Sequence, residues 1–129
     1  MISIETILCV DDDLDFLDQI TMQLEAAGYK TITGTSQKEA EELIQNEKFD
    51  MVISDLMMEN ADAGFSIAYH VKKKYPDTPV VIVTSVTKET GLKFGVTSEK
   101  ERSWIKADAM LNKPVRFEEL KKVISKLSE

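Results

Sequence analysis

Carboxylates close two apolar runs in this chain. Asp11 and Asp12 follow Ile7-Leu8-Cys9-Val10, and Asp55 follows Met51-Val52-Ile53-Ser54. A third run, Val80-Val81-Ile82-Val83, ends in Thr84-Ser85, and a shorter fourth, Ala109-Met110-Leu111-Asn112, ends in Lys113-Pro114. If these runs are strands of one open parallel sheet, their carboxyl ends gather in a single crevice, where such sheets bind ligands. Three carboxylates brought together there repel, and without a cation at least one is driven toward protonation. Mg²⁺ resolves the conflict, because it is hard, prefers oxygen and usually takes one or two carboxylates with waters and a phosphate. A carboxylate is also a nucleophile toward phosphorus. A metal and a lysine neutralise charge on the transferred oxygens, and a strand-end hydroxyl can hydrogen-bond one of them. The residue types therefore point to a small acidic site for a metal and a phosphoryl group.

Each residue taken alone has a plainer reading. Asp13 is expected to cap a helix starting at Leu14, and Asp15 to complement that helix's dipole. Thr84 alone is a β-branched strand residue, and Lys-Pro pairs are frequent in loops. The functional reading rests on all four strand ends together, in the order acid pair, acid, hydroxyl, lysine.

The elements that must hold these groups alternate along the chain. Residues 5–10 read as a buried strand. Residues 14–27 place Leu14, Leu17, Ile20, Leu24 and Ala27 at helical spacing, and Gly28 stops the helix. Residues 30–34 form a second strand, rich in β-branched residues. Ser36 and Glu39 make a capping box for a helix carrying Ala40, Leu43 and Ile44 and ending near Asn46. Residues 50–54 are the third strand, 56–63 a loop, and 64–75 a helix with Ala68, Val71 and Tyr75 on one face. Pro76 and Pro79 punctuate the turn before a fourth strand at 80–84, whose unbroken β-branched run implies burial on both faces. Residues 109–112 are the fifth strand. A final helix at about 116–127 puts Phe117, Leu120, Val123, Ile124 and Leu127 on one stripe. Between the last two strands, Ser98 and Glu101 are expected to start a short helix containing Trp104. The alternation predicts an α/β domain with a parallel sheet and right-handed crossovers that put helices on both faces.

Composition narrows the field. With 129 residues, 43% hydrophobic and 30% charged, the chain suits one soluble domain with a real core. A net charge of −7 argues against nucleic acid as a partner. The apolar runs are too short to span a bilayer and the N-terminus lacks a basic leader, so no membrane contact and a cytoplasmic location are expected. Cys9 is the only cysteine, expected as a small buried hydrophobe rather than a nucleophile. His70, the only histidine, is expected on an exposed helix face, and a zinc site is not expected.

The chain resembles the response-regulator receiver domains of the CheY-like superfamily, over essentially its whole length. The motifs that carry the resemblance are Ile7 to Asp13, Asp50 to Met58, Pro79 to Ser85 and Asn112 to Val115. The resemblance implies a doubly wound five-stranded sheet of flavodoxin-like order 2-1-3-4-5, forming a single receiver domain over residues 1–129. It implies a signalling switch rather than an enzyme. Asp55 would be the phosphoacceptor for a histidine kinase or phosphotransfer protein. Asp11, Asp12 and Asp55, with the backbone carbonyl of Met57, would hold Mg²⁺. Thr84 would be the switch hydroxyl, and Lys113 the phosphoryl contact, followed by a cis Lys113-Pro114 bond. Output is expected through contact with a downstream protein.

Four departures from the family pattern stand out. Glu59 occupies a position most often held by proline, and the loop to Gly64 is one residue longer. Met110 replaces the switch aromatic of the fifth strand. The stretch 86–108 is lengthened, with Trp104 expected to be buried and Phe94 exposed. Met57 and Val86, both apolar, flank the acceptor and are expected to shield an aspartyl phosphate from water. Two rival readings are a Mg²⁺-dependent phosphohydrolase with Asp55 as nucleophile and a binding module that has lost phosphorylation. Against the first, Met57 stands where such an enzyme needs a proton donor. Against the second, the Asp11, Asp12, Asp55, Thr84 and Lys113 set is intact.

Overall fold

The computed structural model describes residues 4–56, 58, 63–84 and 107–128. Its elements are β1 (Thr6–Val10), α1 (Leu14–Ala26), β2 (Lys30–Gly34), α2 (Gln37–Asn46), β3 (Met51–Asp55), α3 (Ala63–Lys74), β4 (Val80–Thr84), β5 (Ala109–Asn112) and α4 (Phe117–Leu127). The expected helix at Ser98–Trp104, and the placements of Phe94 and Trp104, lie outside the described residues.

All four pairings in the sheet are parallel, and the strand order is β2-β1-β3-β4-β5. Strand periodicity splits the core in two. Leu8, Val10, Val52, Val80 and Ile82 point to one face, under Ala40 and Ile44 of α2 and Ile67, Ala68 and Val71 of α3. Ile7, Cys9, Met51, Ile53, Val81 and Val83 point to the other, under Leu17, Ile20 and Leu24 of α1 and Leu120 and Ile124 of α4. β3 and β4 are buried at every position. Cys9 is among these buried residues, and burial pushes its thiol up to about 12, which keeps it a neutral hydrophobe.

The helix boundaries follow the capping chemistry. Asp13 accepts a hydrogen bond from the Phe16 N–H at 3.1 Å and opens α1. Gly28, at φ 101°, closes it in the left-handed conformation that a side chain disfavours. Ser36 accepts from the Glu39 N–H at 3.1 Å, and the Glu39 carboxylate returns to the Thr35 N–H at 3.1 Å. Lys74 Nζ donates to the Ile44 and Gln45 carbonyls at 3.2 and 2.6 Å, capping the C-terminus of α2.

The stripe expected on α1 is shorter than its spacing predicts. Leu14 is 61% exposed and Ala27 is also exposed. Leu14 is the first residue after the cap and Ala27 is the C-cap, so both stand at the ends of α1, outside its buried stripe of Leu17, Ile20 and Leu24. His70 is half-buried rather than free on its helix face, with Nε2 3.2 Å from Glu41 Oε1 on α2.

Candidate functional site

The ladders continue past the strands and hold the backbone of the crevice. The Asp11 N–H donates to Gly34 O at 3.1 Å, the Leu56 N–H to Val83 O at 2.9 Å, and the Lys113 N–H to Thr84 O at 2.9 Å. Register places Asp55 beside Val83 and Thr84 beside Asn112. Asp11, Asp55, Thr84 and Lys113 thereby arrive together at the carboxyl ends of the strands, beside the switch point between β1 and β3 where the strand order reverses. The Lys113-Pro114 bond is cis.

One carboxylate oxygen from each of Asp11, Asp12 and Asp55 lies within 4.8 Å of the others. No other such group of acids, histidines and cysteines occurs among the described residues. Asp12 is exposed, Asp11 buried, and Asp55 only 9% exposed. Lys113 Nζ lies 2.9 Å from Asp11 Oδ2 and 3.8 Å from Asp55 Oδ1. Thr84 is 1% exposed.

Asp11 Oδ1 accepts from the Asp13 N–H at 2.9 Å. Its Oδ2 is buried and accepts no well-directed hydrogen bond from the described residues. The Lys113 ammonium stands 2.9 Å from that oxygen, and a carboxylate oxygen has two lone pairs, so it keeps acceptor capacity beside the lysine. A buried carboxylate oxygen with unused capacity, beside two more carboxylates, is a donor set that fits a hard divalent cation.

The electrostatics agree. Burial, reinforced by the charges of Asp11 and Asp12, pushes the Asp55 carboxyl up to about 6, while Lys113 and the Leu56 N–H pull it down. Burial raises Asp11 as well, against the opposing pull of Lys113 and the Asp13 N–H. Burial works against the Lys113 ammonium, but Asp11, Asp55 and Asp13 together outweigh it and raise its pKa. The site carries more negative charge than its own lysine balances.

Gly64 sets the far wall. A Cβ there would lie 2.7 Å from both Asp55 O and Leu56 Cα, and the Gly64 N–H donates to Leu56 O at 2.8 Å. Only glycine lets α3 begin this close to the backbone of Asp55. Met57, Val86 and Glu59, named above for metal ligation, shielding and loop shape, lie outside the described residues. Met110 is half-buried and packs against the core under α2 and α3.

Three residues whose roles the fold reveals, one at the site and two at the opposite end of the sheet, carried no visible signal in the sequence. Phe16 lies under Lys113, with Nζ 4.6 Å from the ring centroid. Asp50, read as the first residue of a strand, instead precedes β3 and accepts from the Glu5 and Thr6 N–H groups, both at 3.0 Å. Asp108 accepts from the Val80 N–H at 2.8 Å and from Lys72 Nζ at 2.7 Å.

A five-stranded parallel sheet of this order, with an acid triad and a lysine at the carboxyl ends of its strands, is a flavodoxin-like α/β domain with its candidate site at the switch point. The response regulator receiver domain family model matches residues 7–125, and the chain belongs to that family. The heme response regulator HssR of Staphylococcus haemolyticus is 33% identical over 114 residues, covering 88% of this chain and 46% of that protein. The transcriptional regulatory protein GlrR of Escherichia coli is 37% identical over 79 residues, covering 61% of this chain and 18% of GlrR. The chain thus spans about half, or less, of the length of these curated relatives. Among solved structures, the Thermotoga maritima response regulator TrrA, in complex with Mg²⁺-BeF, matches with a TM-score of 0.76 and 25% identity, over 95% of this chain and 98% of TrrA. A CheY-like receiver domain protein from Methanospirillum hungatei matches with a TM-score of 0.75 and 27% identity, over 97% and 94%. The protein is therefore a receiver domain of the two-component response regulators. Among its described residues, no helix is long and apolar enough to cross a membrane.

Proposed function

We propose that this receiver domain is a phosphorylation switch in which Asp55 takes a phosphoryl group from a histidine kinase or phosphotransfer protein, and that the change alters affinity for a downstream protein. The observation that carries the reading is the convergence of three carboxylates within 4.8 Å beside a lysine 3.8 Å from Asp55. Mg²⁺ would be held by Asp11, Asp12 and Asp55 with the Met57 carbonyl, and when bound it supplies charge neutralisation to the phosphoryl oxygens.

The chain's own groups do the rest. An Asp55 carboxylate oxygen attacks phosphorus, an O–P bond forms, and the P–N bond to the donor histidine breaks. Asp55 is only 9% exposed, so little water competes for this oxygen, and the same burial raises its pKa. Lys113 holds positive charge where negative charge accumulates. The Thr84 hydroxyl, one strand over, serves as donor to a phosphoryl oxygen and couples the site to β4 and β5. Residues 1–129 act as one receiver unit, with 86–108 as its lengthened segment.

Incubation with acetyl phosphate and Mg²⁺, followed by intact mass, tests the reading. A single added phosphate, absent in Asp55→Asn, is expected. Catalytic turnover of phosphate esters would instead mark a hydrolase. An unchanged mass at millimolar Mg²⁺ would mark a module that binds without phosphorylation.

A further inference from the structure

We propose that Phe16 is a positioning residue for Lys113, its ring face holding the ammonium between Asp11 and Asp55. The proposal rests on the reading of Lys113 as the phosphoryl contact, but the contact itself stands on geometry. The Lys113 backbone is fixed by its N–H bond to Thr84 O. Its side chain is long and flexible, and the segment it faces is crowded with acids: Asp11, Asp12, Asp13 and Asp15. A lysine there without a further restraint would spend its time on whichever carboxylate reached it.

Two features prevent this. The Asp13 carboxylate accepts the Phe16 N–H as the cap of α1, which fixes the first turn of that helix. The same turn presents the Phe16 ring 4.6 Å from Nζ, within the range of a cation–π contact. The ammonium therefore meets Asp11 at 2.9 Å, Asp55 at 3.8 Å and the ring. The ring attracts the cation without accepting a strong hydrogen bond, so it restrains Lys113 and leaves its N–H groups free to follow new charge at Asp55. A carboxylate or amide at this position would compete for them. Phe16 is also half-buried against the core under α1 and α4, and with Pro114 and Val115 it lines the groove between those helices. That packing keeps the ring in place.

The experiment separates ring electrostatics from ring volume. Phe16→Leu, Phe16→Trp and Phe16→pentafluorophenylalanine are compared with the unmodified protein. The first readout is the ring-current shift of the Lys113 ε-protons by NMR in the metal-free protein, which does not depend on phosphorylation. The second is the initial rate of Asp55 labelling by acetyl phosphate with Mg²⁺. Phe16→Leu is expected to abolish the ring-current shift and slow labelling by about 3- to 10-fold. Phe16→Trp is expected to restore the rate. The pentafluoro variant keeps the ring's shape and inverts its quadrupole, and is expected to be as slow as Phe16→Leu with an unchanged thermal midpoint. Labelling of Phe16→Leu at the unmodified rate overturns the proposal, as does equal labelling by the pentafluoro variant and the natural ring. If the unmodified protein shows the shift but takes no phosphate, the switch reading fails while the Phe16–Lys113 contact stands.

Discussion

The two ends of the sheet use the same residue type for opposite purposes. At the amino end, Asp50 receives two backbone N–H groups, and Asp108 receives one together with an ammonium. These carboxylates are satisfied and tie neighbouring strands together. At the carboxyl end, Asp11, Asp12 and Asp55 crowd one another, Asp11 and Asp55 share one lysine, and a buried oxygen is left without a well-directed donor among the described residues. An acid whose acceptors are filled by the chain is structural. An acid left wanting a cation is poised for a ligand, and the chain bears the cost of keeping it so.

The sharpest break of this comparison is Asp55→Asn. It is expected to abolish phosphate uptake completely by intact mass, whereas Asp50→Asn should leave the labelling rate within about twofold.

Next comes the pH dependence of metal-free stability. The folded-state pKa of Asp55, about 6, lies above its unfolded value of 3.8. Below pH 4 both states hold the proton. Between pH 4 and 6 the unfolded chain releases it while the fold retains it, so stability is lost as pH rises through that window. The loss is bounded at about 3 kcal/mol, from 1.36 kcal/mol per pKa unit. Denaturant melts in EDTA should show this decline in the unmodified protein and a flatter profile in Asp55→Asn. Millimolar Mg²⁺ should recover stability at pH 7 in the former.

Asp50→Ala should lower stability by about 1.5–3 kcal/mol, because two N–H groups lose a charged acceptor. Its effect should not respond to Mg²⁺, and a Mg²⁺-sensitive loss would erase the distinction between the two ends. Smallest is Glu41→Gln, which weakens the half-exposed His70 contact. It should move the thermal midpoint by no more than the equivalent of about 0.5 kcal/mol.

The two ends also differed in how far the sequence disclosed them. The functional end was readable because its residues terminate apolar runs, and the order of those runs predicts which tips meet. Asp55, Thr84 and Lys113 reach the crevice by strand register alone. Asp50 and Asp108 were not readable in that way, because their partners are backbone groups of neighbouring strands. The bond from Glu5 and Thr6 to Asp50 exists only once Ile7 is set opposite Met51. Phe16 gave no signal for a related reason: its meeting with Lys113 depends on how α1 sits against the turn after β5. Gly64 was legible as a helix start, but its near-contact with Asp55 O required the packed fold.

The clamp at Asp108 has a mechanical corollary. It secures the base of β5 to β4 and α3 through Val80 and Lys72, while the other end of β5 carries Lys113. The tip of β5 is held as well, because the Lys113 N–H bonds Thr84 O and the four residues between are paired to β4. Fastened at both ends over about 13 Å, β4 and β5 form one ribbon that joins the crevice to the opposite end of the sheet, with Lys113 at one end and Asp108 at the other.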